Sequence, residues 1–352
     1  RQAQRHPQPM SPDYDPWFST IAALIDCHSP SGAETEIDRE LSDRLRHLGR
    51  EPLLDSAGNL IVRIPGRGSG SIAITAHKDE IGMLVKQIES DGRVQLRRLG
   101  GTYPWIYGEG VIDLLGDREV IPGILSFGSR HISHESPQKA QQDSAPVRWE
   151  DVWVETRRSP EELAQAGVRP GSRAVVGRHR KAPIRLGDHI AGYTLDNKAS
   201  LAILLELARR LEKPRCDVFL LASAKEEVGA VGAMYFSQRQ RLDALVALEI
   251  IPLAPEYGIS DGPEPVLLSQ DGYGIYDEDL TQELAEAAER ARVPVQRAII
   301  SGFGSDASIA MKFGHIPRGA CLGFPTQNTH GYEIAHLGAI AHCADILTTW
   351  LE

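Results

Sequence analysis

The sequence predicts an α/β protein, with a mostly parallel sheet flanked by helices and a small all-β insert. Three observations carry this reading. Strand-like and helix-like segments alternate through 13–86 and again through 188–352, as they do when helices cover both faces of a parallel sheet. The strand-like runs are short and rich in β-branched residues, as in Ser71 to Ala76. Between the two regions, 87–187 changes to short alternating runs separated by Gly and Pro.

In chain order, residues 1–12 read as a disordered tail. Asp15 to His28 has helical apolar spacing (Trp17, Phe18, Ile21, Leu24, Ile25) and opens on Asp15-Pro16, a cap followed by a first-turn proline. Ser29-Pro30-Ser31-Gly32 breaks that helix. A second, acidic helix runs from Ala33 to Leu48. Strands follow at Asn59 to Ile64 and Ser71 to Ala76, joined by the turn Pro65 to Gly70. The insert contributes runs at Val94–Leu99, Val111–Leu115, Val120–Leu125, Val152–Glu155 and Ala174–Val176, with Ser133 to Pro146 as a polar loop. After Asp188 the helices are Asn197–Glu212, Gly229–Arg239, Leu280–Arg292, Asp306–Phe313 and a closing Glu333–Leu351. The strands between them are Asp217–Ala222, Leu245–Ile250, Val295–Ile300 and Arg318–Gly323.

The 352 residues suffice for about two domains. A hydrophobic content of 41% supports a large core. The net charge of −10 argues against nucleic-acid binding, which requires a basic surplus. The longest apolar run, Ala244 to Ala254, is interrupted by Glu249 and falls short of the roughly 18 residues of a membrane span. Arg1 to Met10 lacks the apolar stretch of a secretory signal. Cys27, Cys216, Cys321 and Cys343 form no Cys-x-x-Cys pair, so reduced, mostly buried thiols in a cytoplasmic protein are expected.

Several familiar motifs are missing. Gly66, Gly68 and Gly70 precede a strand, the wrong order for a dinucleotide loop. There is no Gly-x-Ser-x-Gly, no Walker loop and no His-Glu-x-x-His. His336 and His342 on the closing helix read as solvated or capping residues.

A different set carries chemistry. His77-Lys78-Asp79-Glu80 and Glu226-Glu227 follow strands, and Glu249 stands near the end of an apolar strand. His330 follows a strand across the turn Phe324-Pro325-Thr326, and Asp196 precedes a helix. In an open α/β sheet, ligands bind outside the carboxyl ends of the strands, so these five elements can face one crevice. Converging carboxylates repel each other and lose hydration unless something compensates. Two divalent cations would balance three carboxylates and a hydroxide, and imidazole with carboxylate suits zinc, cobalt or manganese better than calcium. Capping and metal roles for Asp196 are compatible.

With these residues in hand, the chain resembles the tetrahedral (TET) aminopeptidases, two-metal peptidases of the glutamyl and deblocking type. The matching segments are Ser29-Pro30-Ser31-Gly32, Ala76-His77-Lys78-Asp79-Glu80-Ile81-Gly82, Gly167-Val168-Arg169-Pro170-Gly171, Leu195-Asp196-Asn197-Lys198-Ala199, Lys225-Glu226-Glu227-Val228-Gly229, Gly304-Ser305-Asp306-Ala307 and Pro325-Thr326 through His330. The resemblance implies a phosphorylase/peptidase-like α/β catalytic domain over 13–86 and 188–352. It implies an inserted β-barrel over 87–187 that drives oligomerisation, into a tetrahedral dodecamer or a dimer. It implies that His77 and Glu249 hold one metal, that Glu227 and His330 hold another, and that Asp196 bridges them. Two divalent ions per subunit are implied, zinc first and then cobalt or manganese. Glu226 would be the general base, with Asp79 orienting His77. The implied substrates are short peptides with a free N-terminus, with no nucleic-acid or membrane partner. Glu249 stands where many relatives carry Asp, and Asn197-Lys198 replaces the more usual Asp-Arg. The residues alone also allow a related two-metal carboxypeptidase or deacylase, or a non-catalytic assembly protein.

Overall fold

The computed structural model describes residues 12–352; the tail expected over 1–12 lies, but for its last residue, outside the described residues. In chain order the elements are α1 (Asp15–Asp26), α2 (Thr35–His47), β1 (Leu53–Leu54), β2 (Leu60–Ile64), β3 (Ser71–His77), β4 (Gly82–Ile88), β5 (Val94–Leu99), α3 (Pro104–Tyr107), β6 (Gly110–Leu115), β7 (Val120–Ser126), α4 (Pro137–Ser144), β8 (Trp153–Glu155), α5 (Pro160–Gln165), β9 (Arg173–Val176), β10 (Ile184–Leu186), β11 (His189–Gly192), α6 (Leu195–Arg210), β12 (Asp217–Ser223), α7 (Val231–Arg239), β13 (Ala244–Pro252), β14 (Val266–Gln270), α8 (Glu278–Arg290), β15 (Gln296–Ile299), α9 (Asp306–Lys312), β16 (Gly319–Gln327), β17 (Glu333–His336) and α10 (Leu337–Leu351).

Strands pair in the order β1-β2-β12-β3-β13-β16-β17-β11-β10, with β14 on β16 and β15 on β14. The parallel sheet is present at the centre, where β12, β3, β13 and β16 all run the same way. The flanking pairs are antiparallel, so the whole sheet is mixed. Alternation sends neighbouring residues to opposite faces. Ile72, Ile74, Val246 and Leu248 pack with apolar residues of α1, α2, α6, α8 and α10. Ala73, Leu245 and Ala247 pack on the other face with Phe236 of α7 and Ala307 and Ala310 of α9. Both faces are therefore dry, which is why β13 reads as one apolar run apart from Glu249.

A closed barrel, β4-β5-β8-β7-β6-β9, is inserted between β3 and β10 around its own core of Met83, Val85, Leu96, Ile112, Leu114 and Val154. The chain enters it at Gly82, ahead of the expected 86/87 boundary.

Three expected elements are corrected. Glu333–Leu351 is not one helix. Glu333–His336 pairs with β11 and β16 as β17, and the His336 side chain then caps α10 by accepting from Gly338 N–H at 2.9 Å. Phe324-Pro325-Thr326 is no turn, because pairing with β13 carries β16 on to Thr326 and pairing with β17 adds Gln327. Ser133–Pro146 is not wholly loop, since Pro137 starts the short helix α4, which buries nothing.

Candidate metal centre

Four central strands deliver the cluster at their carboxyl ends. His77 is the last residue of β3 and pairs with Ser223, the last of β12. Glu226 and Glu227 follow β12, Glu249 belongs to β13, and His330 follows β16. Asp196 stands after β11, at a break in the start of α6. Its backbone is extended (φ −77°, ψ 101°), and the regular helix begins only beyond Asn197. No capping hydrogen bond is made there. The Asp196 carboxylate faces the imidazoles instead.

All of the expected site residues are brought together. Asp196 Oδ1 lies 2.9 Å from His77 Nε2, and Asp196 Oδ2 lies 3.1 Å from His330 Nε2. Around His77 Nε2 stand Glu226 Oε2 at 3.6 Å, Glu249 Oε1 at 3.7 Å and Glu227 Oε1 at 3.9 Å. Glu227 Oε1 is also 3.4 Å from His330 Nε2. Candidate ligand atoms fall into three overlapping sets, each within 4.8 Å: His77, Asp196 and Glu249; Asp196, Glu227 and His330; and His77, Glu226 and Glu227.

Electrostatics make the arrangement costly as it stands. Burial pushes the Glu226 and Glu249 carboxyls well above the usual range, only partly offset by His77. Burial opposes charge on His77, but Glu226, Glu249, Asp196 and Asp79 together outweigh it and push the imidazole well above its ordinary pKa. His330 behaves in the same way beside Glu227 and Asp196. The donors fit a pair of divalent cations. They are nitrogen and carboxylate oxygen, as zinc, cobalt and manganese prefer. Asp196 Oδ1, buried and close to His77, makes no hydrogen bond.

Supporting residues fix the donors. Asp79 reaches His77 mainly through its main-chain oxygen, 3.0 Å from Nδ1. Its carboxylate accepts from the Glu226 and Glu227 N–H groups, at 2.9 and 3.2 Å, and from Ser31 Oγ at 2.6 Å. The sequence reading missed Glu333. Its oxygens accept from Asp196 N–H at 2.9 Å and His330 N–H at 3.1 Å, tying two of the expected ligands together, and burial raises its carboxyl to about 8. Its position three residues after His330, inside the assumed helix, concealed it. Asp306, noted only within a matching segment, accepts from Thr75 Oγ1 at 2.9 Å and Ser223 Oγ at 2.6 Å behind the cluster.

The cluster opens into a cavity of about 570 Å³, walled also by Tyr103 and Trp105 from the barrel side and by the loops after β13 and before α9. His330 Nδ1 lies 2.9 Å from the carbonyl of Gly101, which precedes α3. A Cβ on Gly101 would meet that nitrogen at 2.9 Å, so the approach requires glycine.

Comparison with known proteins places the chain in a family. The family model described as M42 glutamyl aminopeptidase matches residues 58–346. YhfE of Bacillus subtilis, named as an aminopeptidase, is 28% identical over 345 residues, covering 94% of this chain and 96% of its own. A glutamyl aminopeptidase of Lactococcus lactis is 24% identical over 90% of both chains. Among solved structures, an aminopeptidase of the archaeon Desulfurococcus kamchatkensis superposes with a TM-score of 0.85 at 23% identity, over 96% of this chain and 95% of that one. The TET1 peptidase of Pyrococcus horikoshii, described as assembling into a tetrahedron or a large octahedral shell, gives 0.85 at 23% identity, over 95% and 98%. The chain belongs to the M42 glutamyl aminopeptidase family.

Proposed function

We propose that this aminopeptidase works with two divalent cations, one held by His77 and Glu249, the other by Glu227 and His330, with Asp196 shared between them. The observation that carries the reading is the pair of ligand sets that meet at Asp196. We infer zinc as the native ion, with cobalt or manganese accepted by the same donors. Bound there, the cations would supply Lewis acidity toward the scissile carbonyl and lower the pKa of a water.

The chain's own residues do the rest. Glu226 and Glu227 are adjacent, and Asp79 accepts from both of their N–H groups, so their side chains are held in fixed, divergent directions. Glu227 lies toward His330, and Glu226, with an oxygen 3.6 Å from His77 Nε2, would take a proton from the attacking water and return it to the leaving amine. Burial keeps the Glu226 carboxyl above the usual carboxylate range, which suits a residue that must accept and then release a proton. We place the substrates among short peptides with a free N-terminus, since the carboxylates that line the cavity suit an α-ammonium group.

Two further readings complete the proposal. Leu53 and Leu54 on β1, and Ile184 and Leu186 on β10, expose apolar side chains at the two ends of the main strand path. Exposed apolar edges favour burial against other chains, so we read the protein as a homo-oligomer, with the TET-type shell as its form. The four thiols are unpaired, which suits the cytoplasm.

The test is turnover of aminoacyl p-nitroanilides and short peptides. Activity lost to a chelator and restored by zinc or cobalt is the expected result. Glu226→Gln should lower kcat by about 10²–10⁴-fold while metal content holds. Cleavage of N-acetylated peptides as fast as of free ones would replace this reading with a deacylase or endo-acting one.

A further inference from the structure

The family description says glutamyl, but the wall of the cavity does not suit an acidic side chain. β13 leads straight out of the cluster: Glu249 belongs to the ligand sets, and Ile250, Pro252 and Leu253 line the cavity immediately after it. Phe303 in the loop before α9 and Ile309 of α9 line the same cavity. Tyr257 lines the same space with its hydroxyl already committed to the Ser301 carbonyl at 2.6 Å, so its ring is what it presents. Gly304 lets Tyr273 lie against the backbone, because a Cβ there would meet the Tyr273 ring at 2.2 Å.

Among the described residues, no lysine or arginine lines the cavity. Lys312 stands 5.3 Å from the Tyr273 ring centre but is not part of the wall. Outside the ligand sets, the formally charged side chain in the wall is Glu256, which is acidic and exposed at the mouth. A substrate carboxylate would lose water there and find no cationic partner, whereas an aliphatic or aromatic side chain would bury against the β13 wall.

We propose that the cavity selects peptides whose N-terminal residue is apolar (leucine, methionine or phenylalanine in kind) and rejects N-terminal glutamate and aspartate. This rests on the aminopeptidase reading above and goes further by naming its substrate class.

Two measurements on the zinc-loaded full chain test it together. The first is calorimetric binding of L-leucinamide, L-phenylalaninamide, L-lysinamide and glutamic acid α-amide. The second is kcat/KM on the corresponding p-nitroanilides. The apolar compounds should exceed the glutamyl one by at least about tenfold in both, with the lysyl one between. Leu253→Arg should raise the glutamyl-to-leucyl ratio by about tenfold or more. If that variant does not fold, the wild-type binding series decides alone. Glutamyl or lysyl compounds that equal or exceed the apolar ones would overturn the proposal, as would failure of every amide to bind or a folded Leu253→Arg with an unchanged ratio. Binding in the expected order without any turnover would leave the selectivity standing and sink the aminopeptidase reading instead.

Discussion

Glu333 shows how one residue can govern two others. Its carboxylate accepts from the backbone N–H of both Asp196 and His330, and His330 is held at a left-handed φ of 65°, which a non-glycine residue adopts only when its surroundings enforce it. In Glu333→Gln, one of the two N–H groups faces an amide NH₂ and loses its acceptor. Zinc affinity should fall about 10–100-fold, read by competition with a chelator. Stability should fall by about 1–3 kcal/mol, read by urea unfolding. Unchanged zinc affinity would show that Glu333 does not position the ligands. Gly101→Ala tests the same centre from the barrel side. Its new Cβ crowds His330 Nδ1, so the zinc content of the purified protein should drop toward one ion per chain while the circular dichroism spectrum stays the same. These two residues mark what the sequence could not show. His77, Glu227 and Glu249 were legible as polar residues after a strand or inside an apolar run, whereas Asp196, before a helix, and His330, beyond an expected turn, stood out only as members of the set. Glu333 and Gly101 have no such signature, since their roles exist only through contacts made by distant loops.

Among the elements, the start of α6 is tied to the chain leaving the barrel by a buried ionic group. Glu80, two residues before β4, lies 2.8 Å from Lys181 Nζ and 3.3 Å from Lys198 Nζ of α6, and all three are fully buried. One carboxylate thus serves two ammonium groups. Burial alone would raise Glu80, but the two lysines outweigh it and hold the carboxyl at about 2, against an ordinary 4.5. Lys181 gets only a share of that carboxylate, and burial pulls it down to about 8. The sign for Glu80 follows from linkage. Its folded-state pKa is depressed, so its contribution is complete above pH 4.5 and is lost as pH falls toward 2. Over that window the wild type should lose about 3 kcal/mol more than Glu80→Gln does, measured as urea midpoints at each pH. Parallel losses in the two proteins would contradict the ion pairing. Asn197-Lys198 therefore has a visible role: Lys198 joins this group, and Asn197 Nδ2 donates to the Leu248 carbonyl at 2.8 Å, beside Glu249. Element type was legible where periodicity was strong, as in β3, β12, β13 and α8. It failed at Glu333–His336, whose pairing with β11 and β16 overrides a helix-compatible local pattern.

At the scale of the whole molecule, the barrel and the sheet meet through polar pairs and through Tyr193, which follows β11 and packs into the barrel's apolar core beside Tyr107. His28 Nε2 and Asp113 Oδ2 lie 2.8 Å apart, Arg178 reaches Glu36 at 2.9 Å, and Arg173 Nε donates to the Ser31 carbonyl. The apolar side chains at the strand edges β1 and β10 are exposed, and the proposed homo-oligomer would bury them. Light scattering should give a multiple of the chain mass, and Ile184→Asp combined with Leu186→Asp should lower that mass; an unchanged mass would move the interface elsewhere. The α/β class and the β insert were legible from alternation alone. The antiparallel flanks were not, because strands as short as β1 and β10 leave no pattern in the sequence. The proposed two-cation centre turns on Asp196. Anomalous diffraction from zinc-soaked crystals reads that directly. The expected map has two peaks, one on His77 and Glu249, one on Glu227 and His330, with an Asp196 oxygen about 2.0–2.2 Å from each. A map with no ion in the cluster, or with ions that leave Asp196 unligated, would contradict the two-cation centre.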